Sequence, residues 1–174
     1  MLCLALSATM LANTSLGVAL PFLSRDLGAS MAAQQWFSNA YALVFAGLLF
    51  TTSALADRYG RKMMLQSDMV LFGAVSLYVW LFVDSSGELI VARGLLGLGA
   101  AMIMPVTLSI LTSVFPSTER TRAVSLWAAV SGGGTALGPV IAGLLLEVAD
   151  WHAVFAINIP VVVIGVLAGI RYVP

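Results

Sequence analysis

Apolar residues run through this chain in long blocks, and the charged residues fall in short clusters between them. No formal charge occurs in residues 1–24, 27–56, 94–118, 123–146 or 151–170, and residues 63–83 are interrupted only by Asp68. A helix needs about 20 predominantly apolar residues to cross a hydrocarbon core about 30 Å thick. The six gaps predict six transmembrane helices near 2–23, 34–56, 65–83, 88–114, 124–146 and 153–171. The blocks are far longer than a barrel strand and do not alternate. Helices, which satisfy every backbone group internally, are therefore the expected elements, and the fold class is an all-α membrane protein.

Composition agrees with that reading and removes the rivals. Of 174 residues, 60% are hydrophobic and 9% are charged, whereas a soluble domain carries roughly 25% charged residues to meet water. Disorder needs low hydrophobicity and high net charge, and the net charge here is zero. No basic footprint for nucleic acid is present. One cysteine, Cys3, excludes a disulfide framework and reads as a small apolar residue of the first span; His152 reads as a loop residue. No metal-ligand spacing, phosphate loop or nucleophile–base pair occurs, so neither a cofactor nor an enzyme activity is expected. The first block lacks a basic leader and is interrupted by Asn13, Thr14 and Ser15, so it reads as a span rather than a signal peptide.

Lys and Arg set the orientation. Arg58, Arg61 and Lys62 follow the second span, Arg120 and Arg122 follow the fourth, and Arg171 follows the sixth; the opposite side offers Arg25. This asymmetry predicts that both termini are cytoplasmic.

Four stretches carry more than topology. Leu55-Ala56-Asp57-Arg58-Tyr59-Gly60-Arg61-Lys62 reads as a very short loop, in which Gly60 permits a positive φ. Asp57 can pair with a neighbouring arginine. Spacing alone leaves open an ordinary topogenic loop. In the fourth span, Arg93-Gly94-Leu95-Leu96-Gly97-Leu98-Gly99-Ala100-Ala101 places an arginine inside the apolar block, which costs about 2.5–3.5 kcal/mol on insertion scales if central. The alternative is that Arg93 snorkels to the outer interface, partly neutralised by Glu88. In the fifth span, Gly134, Gly138 and Ala142 form a small-residue ridge suited to close helix approach, and Pro139 removes a backbone donor. Trp151-His152-Ala153-Val154-Phe155-Ala156-Ile157-Asn158-Ile159-Pro160 opens the sixth span.

These stretches resemble motifs of the major facilitator superfamily. The loop is similar to its G-x-L-a-D-R-x-G-R-K signature, with Ser53 at the first glycine, and the fourth span to R-x-x-x-G-x-G-A-A. The fifth span resembles the antiporter motif G-x-x-x-G-P-x-x-G-G through Gly134, Gly138, Pro139 and Gly143, with Ala142 at one closing glycine. The sixth resembles the W-R-W-x-F-x-I-N-x-P of drug:proton antiporters with fourteen spans. Leu11 to Pro21 resembles that branch's L-D-x-T-x-x-N-V-A-L-P, but Ala12 stands at the aspartate and Gly17 at the asparagine.

The resemblance implies the amino-terminal six-helix half of a multidrug-type efflux carrier, built as a 3+3 inverted repeat and working by alternating access. It implies a gating loop of Asp57, Arg58, Gly60, Arg61 and Lys62, with a charge network between Asp57 and Arg61, and a proton-linked role for Arg93. Every acid reads as lying at a span end or in a loop, Asp68 coming nearest to an exception, so the Ala12 departure weighs against proton coupling. A cavity wall is expected from Asn13, Thr14, Gln34, Trp36, Asn39, Tyr41, Gly97, Met102, Met104 and Asn158. The expected partners are membrane lipid, a small lipophilic substrate, and either a second half of six to eight helices or a second copy as a parallel homodimer. The expected location is a bacterial plasma (inner) membrane. A truncated or regulatory membrane protein without autonomous transport is the alternative.

Overall fold

The computed structural model describes residues 2–172, with side-chain surroundings for residues 5–169 and 171, so the expectation for the Cys3 side chain lies outside the described residues. The described residues are helical almost throughout: α1 (Leu2–Asp26), α2 (Met31–Tyr59), α3 (Arg61–Phe82), α4 (Ser86–Val114), α5 (Ser117–Val148), α6 (Ala153–Ala156) and α7 (Asn158–Tyr172). Five of these, α1 to α5, are long and apolar enough to cross a membrane. The sixth expected span is the shorter apolar stretch Ala153–Gly169, divided by a turn at Ile157 into α6 and α7.

The helices run past the charge-free blocks. Asp57, Arg58, Arg61, Lys62, Glu119, Arg120 and Arg122 all lie within helical turns. Charges mark where lipid ends, whereas a helix continues until its backbone finds a stop. Those stops are local. Ser30 caps α2 by accepting from the Ala33 N–H (3.2 Å), and Ser85 caps α4 by accepting from the Glu88 N–H (3.3 Å). Glu88 reaches back to accept from the Asp84 N–H (3.2 Å), completing a reciprocal cap. The expected loop over residues 55–62 shrinks to Gly60, whose φ of 97° ends α2 and starts α3 without an intervening segment.

α4 lies at the centre. It packs chiefly on α2 and on α3, while α1 packs chiefly on α5, and α3 also meets α7. The core joins Ala5, Ala8, Leu16 and Leu23 of α1 to Leu89, Leu96 and Ile103 of α4 and to Leu65, Met69 and Phe72 of α3. Small residues set the closest approaches. A Cβ on Gly97 would lie 2.5 Å from the Tyr41 carbonyl oxygen, so α2 and α4 touch backbone to backbone. α2 and α5 are the most exposed spans, with Leu43, Phe50, Leu126, Leu137, Val140 and Leu144 uncovered.

Pro105 inside α4 creates a backbone orphan that a neighbouring helix satisfies. Pro105 cannot donate to the Ala101 carbonyl four residues earlier. The Thr52 hydroxyl of α2 donates to that carbonyl at 2.7 Å instead. Thr52→Val should therefore destabilise the bundle by about 1 kcal/mol. Thr135, whose hydroxyl donates to Ser131 on its own exposed helix face, should tolerate the same change within about 0.5 kcal/mol. Equal melting shifts for the two variants in detergent would contradict this assignment of Thr52.

Candidate functional site

Arg93 is the largest fully buried side chain of the described residues, and it lies about two turns inside α4. It neither snorkels nor meets Glu88, which is occupied in its own helix cap. Its Nε donates to the Phe37 carbonyl of α2 (2.8 Å). Nη1 donates to the Ala12 carbonyl and Nη2 to Asn13 Oδ1, both on α1 at 3.4 Å. The Tyr41 ring covers the guanidinium, with Cζ 4.6 Å from the ring centroid. One cation on α4 thus binds α1 and α2 together through uncharged acceptors and a π face. The fork of donors makes this possible, since a lysine ammonium could not reach three groups in one plane.

The expected cavity residues divide. Asn13 and Tyr41 gather at Arg93, and Trp36 and Asn39 lie exposed on α2. Thr14 is not free for a cavity: its hydroxyl donates to the Met10 carbonyl (2.8 Å), and it packs where Gly138 of α5 comes closest. Gly97 serves the α2–α4 contact rather than a cavity wall. Gln34 donates to the Ala29 carbonyl (3.1 Å) near the start of α2, and Met102 and Met104 are half-buried. Asn158 is buried at the start of α7, its Nδ2 3.5 Å from Ser76 Oγ of α3. Ahead of α6, His152 contacts the Val83 carbonyl (3.1 Å) and stacks on Trp151, whose Nε1 donates to Asp26 at 2.7 Å.

At the α2–α3 junction, Arg61 Nη2 lies 3.4 Å from Asp57 Oδ1, an exposed pair one turn apart. Arg61 Nη1 also donates to the Ser109 carbonyl of α4 (3.4 Å). These residues line a small cavity of about 80 Å³ with Ser53, Ala56, Pro105 and Val106. Arg58 stacks on its neighbour Tyr59 and faces outward; Lys62 is half-buried. Exposed ion pairs contribute at most about 1 kcal/mol, so this link is easily broken and re-formed.

Along α5 the small-residue ridge is used in part. A Cβ on Gly134 would meet Met10 Cβ at 3.2 Å, and one on Gly138 would collide with Thr14 of α1. Ser15 donates to the Gly138 carbonyl at 3.2 Å, and Ala142 is fully buried. Gly143 has nothing within 4 Å of a Cβ position, and Pro139 is exposed within a continuous helix. Close packing therefore narrows to Gly134 and Gly138.

Two participants were invisible in the sequence, and a third was visible without an assigned place. Phe37 and Ser109 act through backbone carbonyls, which leave no trace in residue type. Asp68 did leave one, as the single charge inside residues 63–83. It lies within α3 and is fully buried, which corrects the placing of every acid at a span end or in a loop.

The sequence matches the family profile described as "Major Facilitator Superfamily" over residues 2–174. The chain belongs to that superfamily. This Major Facilitator Superfamily chain is 44% identical over 162 residues to "Methyl viologen resistance protein SmvA" of Salmonella typhimurium, an alignment covering 92% of this chain and 32% of that protein. It is 39% identical to "Multidrug efflux pump LfrA" of Mycolicibacterium smegmatis, with 93% and 32% covered. It is also 36% identical to "Tetracenomycin C resistance and export protein" of Streptomyces glaucescens, with 91% and 29% covered. The chain thus spans about a third of the length of these relatives. Its fold is similar to a crystal structure of the peptide transporter POT (E310Q mutant) with sulfate, at TM-score 0.85, 16% identity, and coverage of 97% of this chain and 36% of the other.

Proposed function

We propose that this chain is the amino-terminal six-helix part of a carrier that exports small lipophilic compounds by alternating access. The observation that carries the reading is Arg93, a buried cation held by α1 and α2 through neutral groups. A charge kept inside membrane helices is costly and marks a substrate or ion path by default. The similarity to resistance and efflux proteins supports the compound class.

The packing supports a 3+3 inverted repeat. Exchanging first with fourth, second with fifth and third with sixth spans converts the α2–α4 contact into α5–α1 and the α3–α4 contact into α7–α1, all of which are present. With the basic residues of the α2–α3 and α4–α5 ends facing the cytoplasm, both termini are cytoplasmic in a plasma membrane. The uncovered apolar faces of α2 and α5, and the exposed Trp36 and Asn39, then border the central cavity and receive either a second half of six to eight helices or a second copy. Crosslinking in membranes separates these partners, and monomers at every protein level would argue against both.

Flux assays in vesicles test the carrier reading. Drug flux above that of empty vesicles is expected once the partner half is supplied, and its absence under every imposed gradient would overturn the proposal. Flux only with the partner would assign this chain a non-autonomous role. Position 12 gives a further test, because the Ala12 carbonyl touches the Arg93 guanidinium and the first and fourth spans therefore pack together. Ala12→Asp should place a carboxylate near that cation and raise proton-linked flux of the completed carrier by roughly tenfold, the equivalent of about 1.4 kcal/mol. No rise would show that the missing aspartate does not limit coupling.

A further inference from the structure

Asp68 lies at the eighth position of α3, and its side chain has no accessible surface. Neither carboxyl oxygen has a hydrogen-bond partner. Leu65, Met69 and Phe72 beside it on α3 are equally buried and apolar. Across the interface, α4 offers Gly99 at the contact. A Cβ there would stand 2.7 Å from Asp68 Oδ1, so only a glycine leaves room for the carboxyl group. The space is shaped around this acid.

The ionisable groups nearby do not neutralise it. From α2, Tyr41 is within electrostatic reach of Asp68. From α4, Arg93 has its donors committed to Phe37, Ala12 and Asn13 and makes no ion pair with Asp68. From α7, the polar contact to α3 is Asn158 with Ser76, two turns farther along; the basic residue of α7 is Arg171 in its last turn. α6 carries no ionisable side chain. An unpaired carboxylate in such surroundings is far more costly than an unpaired neutral acid, because the charged form loses its entire hydration.

Resting on the carrier reading above, we propose that Asp68 is a proton-binding site within the membrane, holding one proton while α3 and α4 are closed and exchanging it with water when that contact opens. On release, the O–H bond of the carboxyl group breaks and the proton passes to a water molecule, leaving the carboxylate hydrated; on closure the reverse occurs. No other reactant is needed. The site supplies in the third span the acid that position 12 lacks. Gly99, on the same helix as Arg93 and six residues farther along it, couples occupation of the site to the helix that holds the cation.

Infrared spectroscopy of the full chain in lipid vesicles tests this without reference to transport. The wild-type minus Asp68→Asn difference spectrum at about pH 7 should show the carbonyl band of a protonated carboxylic acid, shifted in D₂O. Asp68→Glu should retain a displaced acid band, which separates loss of the proton site from loss of the fold. Carboxylate bands in place of the acid band would overturn the proposal. So would an acid band unaltered across about pH 6 to 10, since the site must also release its proton. A titrating band in a chain whose completed carrier moves no drug would remove the carrier reading alone; flux with no acid band would remove the proton site alone.

Discussion

Replacing Arg93 with methionine should leave the helix bundle as stable as before, or up to about 2 kcal/mol more stable, while drug flux through the completed carrier falls roughly 10- to 100-fold. The two effects have different origins. Arg93 is fully buried without an anionic partner, and its hydrogen bonds run to groups that are themselves neutral. Replacing buried charge by an apolar side chain of similar volume is often neutral or stabilising. Its acceptors, the Phe37 and Ala12 carbonyls, belong to helix backbone, so they are not stranded when the guanidinium goes. The functional loss follows because these directed hydrogen bonds, whose gain is offset by the cost of burying the charge, fix how α1 and α2 sit against α4. Arg93→Lys should lose nearly as much, because an ammonium cannot reproduce the fork. Melting in detergent and flux in vesicles read the two effects separately. A melting loss of more than about 2 kcal/mol in Arg93→Met, at unchanged flux, would make Arg93 a structural tie instead.

The second large effect belongs to the glycines, and it separates residues that one motif groups together. Gly138→Val should destabilise the bundle by about 3 kcal/mol or prevent assembly, since its side chain would enter space filled by Thr14 and the Leu11 carbonyl. Gly97→Ala should be comparably severe despite adding a single carbon, because the obstacle is Tyr41 backbone, which has no rotamer to move to. Gly143→Val, five residues beyond Gly138 in the same motif but off its ridge, should stay within about 0.5 kcal/mol of wild type, having nothing within 4 Å. Thermal melting of the three purified variants checks the order. If Gly143→Val proved as damaging as Gly138→Val, the α1–α5 contact would not be the source of the motif's packing role.

The number and approximate bounds of the apolar blocks were legible because lipid excludes charge: nearly every ionised side chain lies at a helix end. Helix type followed from the same solvent, which tolerates no unpaired backbone. The helix ends were less legible, since Ser30 and Gly60 act through local hydrogen bonds and φ, and a nearby charge cluster does not fix the terminal residue. The turn at Ile157 that divides the last span also left no interruption in hydropathy.

What only the tertiary structure decided is which polar groups meet. The chain order states that Arg93 is inside a span; it cannot state that α1 and α2 supply carbonyls 81 and 56 residues away. A backbone acceptor has no residue type, so no motif can encode it. The same limit explains Asp68. Its charge was visible, but its burial depends on Gly99 of α4 meeting it face to face across the α3–α4 interface. Solvent preference acts on each residue alone and is therefore written along the chain. Pairing is a property of two helices at a particular rotation and depth, and arises only when they pack.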